Sequence, residues 1–199
     1  MIYIVRHGQT AWNLQARKQG QKDSPLTIKG INQAQNIASM LKDNIPNIKD
    51  FEIVISPQWR CQQSSSIMCE ILGIDFSKCK LENGIREHCF GSWEGKTEEE
   101  IEIEYPGFLE KRYIPENYWS YIVPMGESYE LLNKRVSLAI EKHQGKNVIF
   151  ICHEMVSKVM RGILLGLTNE ETLALNHPQD TVYKIQRGKL EKLVLGKQS

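Results

Sequence analysis

The amino-acid sequence predicts an α/β fold, built as a three-layer sandwich in which a mainly parallel central sheet lies between helices on both faces. Two observations support this prediction. Apolar runs of strand length alternate along the chain with segments whose apolar residues recur at helical spacing. No internal repeat, low-complexity linker or shift in composition divides the 199 residues. Residues 1–199 are therefore expected to form a single domain, which at this length can bury a full hydrophobic core.

The first half of the chain carries two strand signals and two helix signals. Residues 2–5 form an apolar run of strand length, and a polar loop follows over residues 7–25. Apolar residues at 34, 37, 38 and 41 predict an amphipathic helix after Leu26-Thr27. Residues 51–56 form the second strand, which ends before Pro57, and apolar residues at 61, 68, 71 and 72 indicate the next helix.

The second half continues the alternation. Ser128 is the expected N-cap of a helix that buries Leu132 and Val136. Residues 147–152 are the clearest strand signal in the chain, and an amphipathic helix follows them. The C-terminal residues are predicted to form a hairpin that turns at Arg187-Gly188.

Composition narrows the function classes. The 25 Lys and Arg residues nearly balance the 24 Asp and Glu residues, so the basic excess typical of nucleic-acid partners is missing. The apolar runs are too short to span a bilayer, and no signal segment follows Met1. The five cysteines are odd in number without any C-x-x-C pair, which favours core residues over disulfides or a zinc ribbon. We expect a cytoplasmic protein without a nucleic-acid or membrane partner, and the sequence does not indicate an oligomeric state.

Cationic and imidazole side chains stand where three predicted strands end. The first strand runs into Arg6 and His7. Arg60 begins the helix after the second strand, and His153 follows the 147–152 strand. Ligands of such α/β folds bind outside the carboxyl ends of the strands, so these side chains are expected at one edge of the sheet. Guanidinium groups match the oxygens of a phosphate, and an imidazole adds another donor, so we expect a phosphate clamp.

Spacing disfavours three other chemistries. No H-x-x-x-H or H-E-x-x-H occurs, and Arg6 would repel a cation at this edge, so no metal site is predicted. None of the five cysteines has the arginine six positions later that a cysteine-dependent phosphatase loop needs. The Gly-Lys-Thr at 95–97 is not a P-loop, because Phe90 stands where that motif needs glycine. Histidine remains as a covalent nucleophile.

Six motifs occur in a fixed order along nearly the whole chain: RHGQT with Asn13, DSPLTIKGINQAQ, SPQWRCQQS, IREHCFGSWEG, MGES, and the second histidine at 153. This set resembles the histidine phosphatase superfamily, which is also called phosphoglycerate mutase-like. The resemblance implies the phosphoglycerate mutase-like form of the three-layer fold. It also implies phosphoryl transfer on a small phosphorylated substrate, without a metal or organic cofactor.

The resemblance assigns roles to particular residues. His7 is expected to be the nucleophile, and Arg6, Arg60 and His153 are expected to hold the phosphoryl oxygens. Glu87 is expected to protonate the leaving oxygen and later to accept a proton from water. Thr10 either orders the His7 loop or is a simple turn residue. The expected phosphate and substrate pocket also contains Gly8, which lets the loop approach phosphate closely, and Gln9, Thr10, Asn13, Gln19, Gly20 and Glu154.

Two parts of the sequence leave the function open. Glu154 stands where many members have glycine, and its carboxylate would repel phosphate unless it is turned away or paired with Lys158 or Arg161. Residues 96–126 form an insert expected to select the substrate, and its aromatic residues either pack on the body or line the pocket.

The F-G-x-W-E-G block favours a phosphatase. The alternatives are a phosphoglycerate mutase-type transfer and a non-catalytic phosphate-binding or interaction module. His88, His143 and His177 are expected to be surface or structural residues.

Overall fold

In the computed structural model, a six-stranded sheet lies between helices on both faces. The structure describes residues 1–112 and 118–194, so residues 113–117 of the predicted insert lie outside the described residues. The strands are β1 (Ile2–Arg6), β2 (Glu52–Ile55), β3 (Lys80–Leu81), β4 (Val148–Cys152), β5 (Thr181–Gln186) and β6 (Lys189–Val194). The helices are α1 (Ala11–Leu14), α2 (Ile28–Asn44), α3 (Trp59–Leu72), α4 (Glu98–Glu104), α5 (Phe108–Arg112), α6 (Tyr129–Glu141), α7 (Glu154–Leu165) and α8 (Asn169–Ala174).

The order of the strands brings the predicted strand ends together. The sheet runs β3-β2-β4-β1-β5-β6, and β3, β2, β4 and β1 are parallel to one another. The predicted hairpin forms the antiparallel edge, β5 and β6. Arg6 pairs with Cys152 at the end of β1 and β4, and Ile55 pairs with Ile151 at the end of β2. The prediction of an α/β fold with a mainly parallel sheet is therefore confirmed.

Alternate side chains of the central strands supply two separate hydrophobic cores. In β1, Tyr3 and Val5 point to the core under α2 and α3, whereas Ile4 belongs to the core under α6 and α7. Strand β4 is buried along its whole length, as expected for a central parallel strand covered by helices on both faces. This double cover fixes the carboxyl ends of β1, β2 and β4 against one another.

Side-chain caps begin two of the helices that the sequence predicted, α2 and α6. Thr27 Oγ1 accepts a hydrogen bond from the backbone N–H of Gly30 at the start of α2. Ser128 Oγ accepts one from Leu131 at the start of α6, as predicted. The sequence did not predict the short elements α1, β3 and α8, because two to six residues carry too little periodicity. Within the described ranges, no helix has the length and apolar character needed to cross a membrane.

The described part of the insert packs on the body through a small third core. Ile101 of α4 and Val123 are fully buried against Trp93. Tyr105, Phe108 and Tyr121 pack against this cluster, whereas Tyr118 and Trp119 pack against the core under α6 and α7. Most aromatic residues of the insert therefore serve packing, and Tyr118 also reaches the pocket described next.

Candidate active site

A pocket of about 260 Å³ lies where β1, β2 and β4 end. Eight of the residues expected from the sequence line it: Arg6, His7, Asn13, Gln19, Gly20, Arg60, Glu87 and Glu154. Tyr118 also lines it, as one of the insert aromatics for which the sequence left a pocket role open. Four others were not singled out from the sequence: Lys18, Phe90, Tyr129 and Met155. The strand-end rule identified the two arginines and His7, and the family resemblance added Glu87, Asn13, Gln19 and Gly20. The aromatic part of the pocket comes from segments distant in the sequence.

Arg60 is the centre of the polar part. It lies in the first turn of α3 and is 1% exposed. Its Nε–H lies 3.2 Å from His7 Nε2 and 3.2 Å from His153 Nδ1, so one donor is shared by two imidazoles. Its two terminal nitrogens donate to the carbonyl oxygens of Lys22 and Gly20 and to the Asp23 carboxylate, at 2.7 Å each. These fixed partners hold the guanidinium between the two histidines.

Hydrogen bonds determine the tautomer of His7. Its Nδ1 lies 2.8 Å from the carbonyl oxygen of Gly8, and a carbonyl can only accept, so Nδ1 carries the proton. The lone pair of Nε2 is then directed towards Arg60. Burial lowers the pKa of His7 well below its usual value, and the charges of Arg60 and Arg6 lower it further. His7 is therefore a neutral imidazole with an available Nε2 lone pair.

His153 lies behind Arg60 and does not line the pocket. Its Nδ1 accepts from Arg60, so its Nε2–H donates to Ser56 Oγ at 2.7 Å. Burial, followed by the charge of Arg60, lowers the pKa of His153 well below its usual value. The rings of His7 and His153 meet edge to face with centroids 5.2 Å apart. Ser56 thereby orients the second imidazole, a role that the sequence did not reveal.

Glu87 is buried and lines the same pocket as His7. Its carboxylate accepts hydrogen bonds from the backbone N–H of His88 at 2.9 Å and, more weakly, of Met155 at 3.4 Å. Burial is the main cause that raises the pKa of Glu87, and the nearby Glu154 charge also raises it, while Arg60 opposes both. A carboxyl group with a raised pKa can donate a proton closer to neutral pH.

Arg6 is held by partners on two sides. Its Nη1 donates to the carbonyl oxygen of His177 at 2.7 Å, and its Nη2 pairs with Glu154 Oε2 at 2.9 Å. Of the two pairings suggested from the sequence, Lys158 lies 4.0 Å from the Glu154 carboxylate. Among the described contacts Arg161 forms no ion pair with Glu154; it is buried against the ring of Tyr183 instead. The main partner of Glu154 is therefore Arg6 itself.

Gly8, Gln9 and Thr10, which the sequence also placed at the phosphate site, are like His153 not among the residues that line the pocket. A Cβ on Gly8 would lie 2.2 Å from the carbonyl oxygen of Gly30, so its missing side chain permits close contact with α2. Gln9 Oε1 accepts from Thr27 Oγ1. Thr10 Oγ1 accepts a hydrogen bond from the backbone N–H of Asn13 and so caps α1. Of the two roles that the sequence left open for Thr10, this contact supports the ordering of the loop.

The three remaining histidines lie outside the pocket. His88 stacks on Tyr129, and His177 lies between Ser157 Oγ and the carbonyl oxygen of Thr181. His143 contacts Glu52 near the opposite end of the sheet. These contacts are structural, as the sequence suggested. Among the residues that the structure describes, no group of three or more His, Cys, Asp or Glu side chains is arranged to hold a metal ion.

Comparisons with known proteins agree with this architecture. The family model of the histidine phosphatase superfamily (branch 1) matches residues 2–195. The chain is 33% identical over 186 residues to human 6-phosphofructo-2-kinase/fructose-2,6-bisphosphatase 4, covering 92% of this chain but only 37% of that protein. It is 29% identical over 170 residues to an Escherichia coli protein named probable phosphoglycerate mutase GpmB, covering 83% of this chain and 75% of the relative.

Solved structures share the fold at lower identity. The α-ribazole phosphatase of Shigella flexneri has a TM-score of 0.79 at 22% identity and covers 98% of this chain and 96% of its own. A mycobacterial glucosyl-3-phosphoglycerate phosphatase complexed with VO3 has a TM-score of 0.76 at 22% identity, covering 97% of this chain and 96% of its own. At these identities the likeness establishes the fold.

Proposed function

The chain belongs to the histidine phosphatase superfamily, and on that premise we propose that it is a metal-independent phosphomonoester hydrolase that acts through a phosphohistidine at His7. The observation that carries the proposal is the Arg60 Nε–H, which lies 3.2 Å from His7 Nε2 and 3.2 Å from His153 Nδ1. This arrangement joins a neutral nucleophile to a fixed cation in one pocket. The pocket also holds Glu87, a carboxyl group whose pKa is raised, chiefly by burial.

In the first half of the proposed reaction, a phosphoryl oxygen replaces His7 Nε2 as the acceptor of the hydrogen bond from the Arg60 Nε–H. The Nε2 lone pair of His7 then attacks phosphorus while the bond from phosphorus to the alcohol oxygen breaks. Glu87 gives its proton to that oxygen, so the alcohol leaves uncharged. The Nδ1–H of His7 stays bonded to the Gly8 carbonyl, which stabilises the positive charge that develops on the imidazole.

In the second half, water attacks the phosphohistidine. Glu87 is now a carboxylate and accepts a proton from that water, and inorganic phosphate leaves His7 as a neutral imidazole. Arg60 and Arg6 face the transferring group in both halves, where their fixed charges match the charge on the phosphoryl oxygens. These fixed guanidinium groups supply the charge stabilisation that a metal ion provides in other phosphoryl-transfer sites.

The experiment compares hydrolysis of p-nitrophenyl phosphate by the wild type, His7→Ala and His143→Gln, each with a chelator present. We expect His7→Ala to lose at least about 1,000-fold in kcat, because the nucleophile is missing. His143→Gln is the matched control, since His143 lies away from the pocket against Glu52. Full activity of His7→Ala would refute the nucleophile, and loss of wild-type activity on chelation would refute metal independence.

A mutase is the second candidate, because a relative that covers 83% of this chain is named a probable phosphoglycerate mutase. A mutase must keep water from the phosphohistidine, whereas a phosphatase must admit it. Incubation with a panel of phosphomonoesters that includes phosphoglycerates separates the two. Release of inorganic phosphate supports the hydrolase. Exchange of phosphoryl groups among phosphoglycerates, without release of phosphate, would replace the hydrolase with the mutase.

A further inference from the structure

The pocket has a second part beside the phosphate clamp, and its chemistry is mainly aromatic. We call Phe90, Tyr118, Tyr129 and Met155 the aromatic wall, because all four line the pocket. The rings of Tyr118 and Tyr129 lie 5.5 Å apart, and Tyr129 Oη lies 3.0 Å from Met155 Sδ. Such a surface suits the apolar face of a ring, whether an aromatic ring or the C–H face of a sugar.

The cations around the aromatic wall already have anionic partners. Besides the two arginines of the clamp, Lys18 is the one lysine or arginine among the described residues that line the pocket. Its Nζ lies 2.6 Å from Glu98 Oε1. Lys158, which is not among the residues that line the pocket, lies 4.0 Å from Glu154 and donates to the carbonyl oxygen of Leu173. A second anionic group on a substrate would therefore have to displace one of these partners.

Glu154 adds a negative charge to the same region. It is the first residue of α7, and its side chain is 33% exposed in the pocket wall. Its carboxylate neutralises Arg6, one of the two cations that face the phosphate. The cations beside Glu154, Arg6 and Lys158, are already paired with it. A carboxylate or second phosphate carried by the alcohol would therefore meet a like charge whose neighbouring cations are already engaged, and like charges at short range disfavour binding.

We propose that the pocket accepts phosphomonoesters of an uncharged alcohol with an apolar face, and that Glu154 determines this specificity by rejecting alcohols that carry a carboxylate or second phosphate. The inference rests on the proposed hydrolase function and names its substrate class. Glu154 acts on the choice of substrate and on the availability of Arg6, whereas His7 and Glu87 carry the chemistry. The aromatic wall supplies affinity for the ring of the alcohol.

Two matched pairs of substrates test the inference through the release of inorganic phosphate. Phenyl phosphate and 4-carboxyphenyl phosphate differ by one carboxylate on the same ring. Glycerol 3-phosphate and 3-phosphoglycerate differ by a hydroxymethyl group and a carboxylate on the same carbon chain. For the wild type we expect kcat/KM to be at least about tenfold higher for the uncharged member of each pair, and highest for phenyl phosphate.

The variant Glu154→Gln removes the charge and keeps the shape of the side chain. We expect it to reduce the preference for the uncharged member at least about threefold, and to lower the Ki of inorganic phosphate because Arg6 loses its competing partner. Glu170→Gln is the matched control, since it changes the net charge equally in the exposed first turn of α8. Glu154→Ser is a second variant for the case that the glutamine variant does not fold.

The outcomes separate the two proposals. If the wild type releases no phosphate from any monoester of a broad panel, the hydrolase function fails. If it hydrolyses both members of each pair equally well, the hydrolase stands and the substrate class is wrong. If Glu154→Gln keeps the full wild-type preference, or if Glu170→Gln changes it as much, Glu154 does not determine specificity.

Discussion

Three buried histidines should make the folded state sensitive to acid. His7, His153 and His177 are each 2% exposed or less. Burial is the main cause that holds the pKa of each well below its usual value. In His177 the Nε2–H donates to the carbonyl oxygen of Thr181, so Nδ1 is free to accept from Ser157 Oγ, and both ring nitrogens are satisfied in the neutral form.

The sign and size of the effect follow from proton linkage. Each histidine has a lower pKa in the folded state, so the unfolded chain binds more protons below about pH 6.5, and stability falls as the pH falls. At about pH 5, a histidine that stays neutral in the folded state lowers the free energy of unfolding by about 2 kcal/mol relative to about pH 8. Three such histidines together lower it by about 6 kcal/mol, which is comparable with the whole stability of many domains. Glu87 affects the free energy of unfolding with the opposite sign, because its pKa is raised in the folded state. Its contribution to stability is therefore lost as the pH rises through that pKa.

The variant His177→Asn isolates one of these groups. Its lost hydrogen bonds cost a constant amount at every pH, but it has no imidazole to protonate. Relative to the wild type, we therefore expect it to regain about 2 kcal/mol in the free energy of unfolding between about pH 8 and about pH 5. Urea unfolding followed by tryptophan fluorescence at several pH values measures this difference. A difference between variant and wild type that does not change with pH would refute the argument, because His177 would then not be neutral and buried.

Further substitutions test the clamp and the loop beside it. Arg60→Lys keeps the charge but loses the planar fork, so we expect kcat/KM to fall at least about 100-fold in steady-state assays, and a loss under tenfold would contradict the geometry. Ser56→Ala removes the acceptor that orients the second imidazole, and we expect kcat to fall about tenfold with little change in KM; an unchanged kcat would show that Ser56 has no positioning role. Gly30→Ala would place a Cβ 2.0 Å from the carbonyl oxygen of Gln9, so we expect a loss of at least about 2 kcal/mol in urea unfolding. Gly145→Ala, which has open space but a φ of +80°, should cost only about 1 kcal/mol, and equal losses would contradict the contact with Gln9.

The sequence predicted the polar half of the candidate site because that half obeys a simple rule. Arg6 and His7 follow one strand, and Arg60 and His153 follow two others, so a parallel sheet brings them to one edge. Apolar runs and helical spacing are local signals, and they were sufficient to predict β1, β2, β4 and the helices between them. The six motifs then supplied roles for these side chains.

The rest of the site depends on register and on distant contacts, which a single sequence does not contain. Arg6 meets Glu154 because β1 pairs with β4 in the register that sets Arg6 opposite Cys152. The sequence suggested two other partners for Glu154 because both lie one or two turns along its own helix. The close contact of Gly8 with Gly30, which is far along the chain, was not predicted either. The aromatic wall likewise joins residues from four separate segments, from Phe90 to Met155.

The most direct test of the account is to trap the phosphohistidine. Glu87→Gln should react with p-nitrophenyl phosphate, because nitrophenolate leaves without a proton, but it should then hydrolyse slowly because no carboxylate accepts a proton from water. After an alkaline denaturing quench, intact-protein and peptide mass spectrometry should find one acid-labile phosphoryl group on His7. A phosphoryl group on His153 or on any other residue, or hydrolysis that proceeds without a phosphorylated protein, would contradict the account.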